Sequence, residues 1–116
     1  MATDTLQLEI RDGAMPGMRV AVLNGALTIS TLFDFQNFTQ SDQSEKLILD
    51  MSAVPYIDSA GLGSIIGAYV SRERQGRNLA LAGVSDRVHL VMTVSGVEKL
   101  FQIYPGVAEA EAALAG

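Results

Sequence analysis

A chain of 116 residues, 48% hydrophobic and with a formal net charge of −5, has the length for one domain, 1–116, and enough of it to bury a real core. Eight basic residues against thirteen acidic ones leave little for a nucleic-acid partner, which needs a clustered basic face; the only group, Arg72, Arg74 and Arg77, falls at the end of a predicted helix, where the macrodipole favours positive charge. Cysteine is absent, and a lone His89 with scattered carboxylates has no metal-ligand spacing, so neither thiolate chemistry nor a metal nor a cofactor is expected.

In chain order, Met1 to Asp4 lack a basic region followed by an apolar run, and no stretch approaches the length of a bilayer span, so a cytoplasmic protein is expected. Leu6 to Ile10 alternates apolar and polar as a half-buried strand does. Turn chemistry at Asp12-Gly13 and Pro16-Gly17 leads to a second strand, Met18 to Leu23, paired antiparallel with the first. Asn24-Gly25 breaks the run, a short extended piece follows, and Ser30 or Thr31 is placed to cap a helix carrying Leu32, Phe35 and Phe38 inward. Lys46 to Met51 is a strand of the kind buried on both faces. A helix beginning after Ser59 ends at Gly76, and Leu79 to Ala82 is another buried strand. Ser85 caps a helix running to about Val94 and stopped by Gly96; Phe101 to Tyr104 is extended, and Val107 to Leu114 is a last helix. This alternation predicts an α/β fold: a mixed, mostly parallel sheet with an antiparallel N-terminal pair and about four helices.

The helix after Ser59 has two unlike faces. Leu62, Ile65, Ile66, Tyr69 and Val70 form the stripe expected of a core-facing surface. Ala60, Gly63, Ser64, Gly67 and Ser71 form an opposite stripe of small residues, although each glycine inside a helix costs roughly 1 kcal/mol relative to alanine. A bare backbone at that cost implies a second surface that must approach closely, either a partner or another part of the same domain.

Ser59 occupies the position at which Ser, Asp or Asn caps free backbone N–H groups. The same N-terminus favours anions, so a phosphate on Ser59 would leave the helix intact while placing about −2 charge at the edge of the small-residue stripe. Catalysis by Ser59 is disfavoured: Ile57-Asp58-Ser59-Ala60-Gly61 lacks the first glycine of a nucleophile elbow, and His89 lies in an amphipathic helix as a structural residue. Gly61-Leu62-Gly63 is too short for a phosphate loop or a dinucleotide fingerprint. The chain is therefore not expected to be an enzyme.

The run LILDMSAVPYIDSAGLG from Leu47 to Gly63, with LALAG from Leu79 to Gly83 and VEKLFQIY from Val97 to Tyr104, resembles the STAS domain, and more narrowly the stand-alone bacterial anti-sigma factor antagonists. The likeness covers roughly residues 45 to 114, and the Asp58-Ser59-Ala60-Gly61-Leu62-Gly63 corner carries most of it. The resemblance implies partner switching. The unphosphorylated protein binds an anti-sigma factor, itself a serine kinase with a histidine-kinase-type ATP site, and frees the sigma factor. Phosphorylation of Ser59 breaks that complex, and a PP2C-type phosphatase restores it. Asp58, Ser59, Ala60, Gly61, Gly63, Ser64 and Gly67 are the partner-binding residues so implied, on a monomer or weak homodimer. Asp50 and Asp58 match the family, whereas Thr28 stands where an acidic residue is usual, and Leu90 and Thr93 stand where charged residues are usual. The competing readings are a STAS accessory subunit of a membrane lipid or anion transporter and, third, a small flavodoxin-like enzyme or nucleotide binder, which the absence of a phosphate-binding loop weakens.

Overall fold

The computed structural model describes residues 5–115; Met1 to Asp4, read above for a leader segment, lie outside them. Strands β1 (Gln7–Asp12), β2 (Met18–Asn24), β3 (Lys46–Ala53), β4 (Asn78–Ala82) and β5 (Gln102–Tyr104) form one sheet in sequence order. β1 and β2 are antiparallel, and the other three pairings are parallel. Helices α1 (Leu32–Ser41), α2 (Ser59–Arg74), α3 (Asp86–Val94) and α4 (Val107–Leu114) complete the predicted α/β arrangement, with a 3-10 turn at Glu98–Leu100 before β5.

Side-chain alternation along the strands builds two cores of unequal size. Ala21 and Leu23 of β2, Leu47, Leu49 and Met51 of β3, and Leu79 and Leu81 of β4 point to one face, where they meet Phe35, Leu62, Ile65, Val88 and Met92 from α1, α2 and α3. Val20, Ile48, Ala80 and Ala82 point to the other face, which Ala110 and Leu114 of α4 cover. β3 is buried on both faces, as its apolar run predicts. Alanines at 80 and 82 suit the packing of the short α4 close to the sheet. Gly76 and Gly96 stop α2 and α3 as expected, at φ of 72° and 75°, where a Cβ would be strained.

Three expectations are corrected. Thr31 stands at the N-cap of α1, yet its hydroxyl makes no capping bond. It accepts from the Thr28 N–H at 2.9 Å and donates to the Ala26 carbonyl at 2.8 Å, so it ties down the loop before the helix. Val70 is 37% exposed because the core stripe of α2 shifts toward Ala68, which is buried in its place. Arg72 is a buried residue rather than a dipole partner at a solvated helix end.

Arg72 belongs to a cluster where α1 and α2 end and β3 and β4 begin. Its guanidinium donates to Asp42 Oδ2 at 3.1 Å, to the Asn78 carbonyl at 3.0 Å and to the Ser44 carbonyl. Asp42 Oδ1 accepts from Arg19 of β2 at 2.9 Å, and the Asp42 side chain is wholly buried. Burial lowers the pKa of Arg72, and the adjacent carboxylate opposes that change. The three-arginine group of the sequence is therefore not a basic patch, since one member is spent inside the protein.

Candidate functional site

The corner between β3 and α2 is built by two loops lying side by side. The extended piece after Gly25 makes a parallel bridge through Leu27 to Ile57; the Leu27 N–H donates to the Tyr56 carbonyl at 3.3 Å, and the Asp58 N–H to the Leu27 carbonyl at 3.4 Å. Asp58, not Ser59, is the N-cap of α2. Its Oδ1 accepts from the Gly61 N–H at 2.8 Å, while Oδ2 accepts from the Ile29 N–H at 3.0 Å. One carboxylate therefore starts α2 and holds the loop leading to α1.

Desolvation pushes the Asp58 carboxyl up, but hydrogen bonds from the backbone N–H groups of Gly61 and Ile29 outweigh it and hold the pKa below 3.8. The depressed folded value fixes the sign of the pH effect: the cap contributes fully above the unfolded carboxyl's pKa and is lost as pH falls through the folded one. Acidification from about pH 5 to pH 2 is expected to loosen the corner, read as faster amide exchange at Gly61 and Ile29. Asp58→Asn should flatten that dependence, and an unchanged profile in the variant would assign the acid sensitivity elsewhere.

Ser59 is the first residue of α2 and is exposed. Its position differs from the expected cap by one residue, because Asp58 takes the role of binding the free N–H groups. A phosphate on Ser59 would thus sit beside a seated carboxylate, adding negative charge to a site that already carries some.

Outside the small-residue stripe, a Cβ on Gly61 would lie 2.0 Å from the Leu27 carbonyl oxygen, so only glycine lets the first turn of α2 touch the Leu27 loop. The stripe itself divides into members that pack and members that do not. Ser64 is buried and its hydroxyl donates to the Gly61 carbonyl at 2.7 Å. Ala60 is half-buried. Gly63 and Gly67 have no neighbour within 4 Å of an added Cβ. They lie in an open groove of about 220 Å³ between α1 and α2, with Gln36, Thr39 and Gln40 on one side and Ser71 on the other.

Two apolar residues near this corner escaped the sequence reading. Ile29 is 71% exposed although its backbone is anchored to Asp58, and Phe33, in the first turn of α1, is 69% exposed. The available signal was helical phase: with Leu32 and Phe35 inward, Phe33 cannot share their face.

Other candidate residues have structural occupations. Thr28 is buried, its hydroxyl accepting from the Ser30 N–H at 3.2 Å. Asp50 Oδ1 accepts from the Ser52 N–H and hydroxyl at 3.1 and 2.8 Å. His89 lies 3.2 Å from Glu98, which also accepts from the Thr93 hydroxyl. Leu90 is 61% exposed. No group of three or more metal-ligating side chains occurs among the described residues, and no helix among them is long and apolar enough to cross a membrane.

An antiparallel hairpin continued by three parallel strands, with three helices on one face and one on the other, defines an α/β domain whose β3–α2 corner is open to solvent. The chain belongs to the STAS domain family, whose model matches residues 7–110. Over 65 residues it is 34% identical to the anti-sigma F factor antagonist of Paenibacillus polymyxa, a match covering 56% of each protein, so the likeness spans about half the length of that curated relative. An anti-sigma factor antagonist from Mycobacterium paratuberculosis has the same fold at a TM-score of 0.82, with 20% identity over 96% of this chain and 95% of that one. A sulfate transporter family protein from Wolinella succinogenes also shares it, at a TM-score of 0.73 with 22% identity over 87% of each chain.

Proposed function

We propose that this chain is an anti-sigma factor antagonist switched at Ser59. Its unphosphorylated form binds an anti-sigma factor that is also a serine kinase with a histidine-kinase-type ATP site, and so frees the sigma factor. Phosphorylation of Ser59 ends the complex, and a PP2C-type phosphatase restores it. The reading rests on one observation above others: an exposed serine opens a helix beside a groove lined by two glycines at which an added Cβ would meet nothing within 4 Å. The name of the Paenibacillus relative supports the antagonist part of this reading. Asp58, Ser59, Ala60, Gly61, Gly63, Ser64 and Gly67 divide the work: Ser59, Ala60, Gly63 and Gly67 meet the partner, while Asp58, Gly61 and Ser64 hold the corner in shape. Ile29 and Phe33 supply apolar contact at its border. The protein acts by binding, not by catalysis.

Phosphate charge acts here by repulsion and desolvation. A negative group beside Asp58 cannot be buried in an interface without a partner cation, and an unpaired buried charge costs several kcal/mol. Ser59→Asp is therefore expected to weaken binding to the kinase-type partner with an unchanged far-UV CD spectrum, since an acidic residue in the first turn of a helix is favourable. Ser59→Ala should bind and fail to release on addition of ATP. Phosphate incorporation into Ser59→Ala would move the switch to another residue. A pull-down separates the transporter reading: recovery of a permease or a transport ATPase instead of a kinase-type anti-sigma factor would replace the present proposal.

A further inference from the structure

β1 is a six-residue edge strand whose only strand partner among the described residues is β2. The opposite edge, β5, has three residues and is followed by Pro105, so it offers little to an added strand. β1 contains neither proline nor lysine.

The direction of its backbone groups follows from one hydrogen bond. The Gly13 N–H donates to the Met18 carbonyl at 2.8 Å, continuing the register in which Asp12 faces Arg19. Bonded pairs recur at every second residue of an antiparallel ladder, so Arg11, Glu9 and Gln7 direct their N–H and C=O groups at β2. Those of Leu8, Ile10 and Asp12 point outward.

We propose that this edge pairs with β1 of a second copy, antiparallel and centred on Ile10. That register matches the outward groups completely, setting Ile10 against Ile10 and Leu8 against Asp12. It also sets Glu9 of each copy directly opposite Arg11 of the other, as non-bonded pairs, in which side chains approach more closely. The two neighbouring registers with the same bonding pattern are centred on Glu9 or on Arg11 and place like charges face to face, which disfavours them. Ile10, 41% exposed on the face shared with Leu8, gains an apolar contact across the two-fold axis. The product is a ten-stranded sheet continuous through both copies, formed by a surface distinct from the groove between α1 and α2.

The test is sedimentation velocity of the full chain over a concentration series. The wild type is expected to move from 12.3 kDa toward twice that mass as concentration rises. Glu9→Arg and Arg11→Glu should each weaken self-association about tenfold or more, because each replaces two opposite-charge pairs by two like-charge pairs. An equimolar mixture of these two variants should associate, and the double variant Glu9→Arg/Arg11→Glu should dimerise as the wild type does. Ile10→Pro removes one outward N–H and nothing that β2 uses, so it should abolish the dimer with the CD spectrum retained. A wild type that stays monomeric at every concentration, a dimer indifferent to both single charge variants, or a mixture that fails to associate would each overturn the pairing.

Discussion

Asp42→Ala is expected to destabilise the protein by about 3–5 kcal/mol, the cost of leaving a buried charge without its partner. Asp42 has no exposed side-chain surface, and it binds Arg72, which is itself buried, together with Arg19 and the Ser44 N–H. Removing it strands the Arg72 guanidinium between the ends of α1 and α2. Replacing both buried partners by apolar residues, as in Asp42→Leu with Arg72→Met, should cost less than the single change, because no buried charge is then left unpaired and Arg19, 41% exposed, can turn to solvent. Urea titrations of the two variants check this. A loss under about 1 kcal/mol for Asp42→Ala would mean that water reaches Arg72 and that the cluster is looser than its geometry implies.

Gly67→Leu and Gly63→Leu should abolish partner binding while leaving stability equal to or above that of the wild type. Leucine is the better helix former by roughly 0.8 kcal/mol, and an added side chain at either position enters open space. The groove would be filled by the protein's own side chain, and a helix or loop docking there would be blocked. Gly61→Ala makes the contrasting control on the same helix. Its Cβ would strike the Leu27 carbonyl, a backbone atom, so a loss of about 1–3 kcal/mol or more is expected. Chemical denaturation beside a binding assay separates the two glycine classes. Retained affinity of the folded Gly67→Leu protein would remove the groove from the docking surface.

The fold was largely legible because its strands alternate or run apolar without ambiguity, and because Gly76, Gly96 and Ser85 mark helix ends by ordinary capping chemistry. The site was legible in part. Ser59 stood out through the residues around it, but Asp58 and Ser59 are both good caps, and sequence does not say which side chain turns toward the helix. The small-residue stripe offered two explanations, a partner or internal packing. Internal packing holds for Ser64, while Gly63 and Gly67 are left uncovered; Gly61, outside the stripe, is tight because of where the Leu27 loop runs, a tertiary fact. Arg72 was misplaced for a similar reason. Asp42 lies thirty positions earlier, and nothing local links a helix-terminal arginine to a carboxylate at that separation.

α2 is held unequally at its two ends. Arg72 fastens its last turn to Asp42, Ser44 and Asn78, whereas its first turn is joined to the neighbouring loop by the Asp58 carboxylate and the Gly61 contact. Mechanically it is a beam clamped at the far end and pinned lightly at the near one. A negative charge added at the near end is favoured by the helix dipole, and the clamp resists displacement of the whole rod, so such a charge would change the local surface beside the groove rather than move the helix.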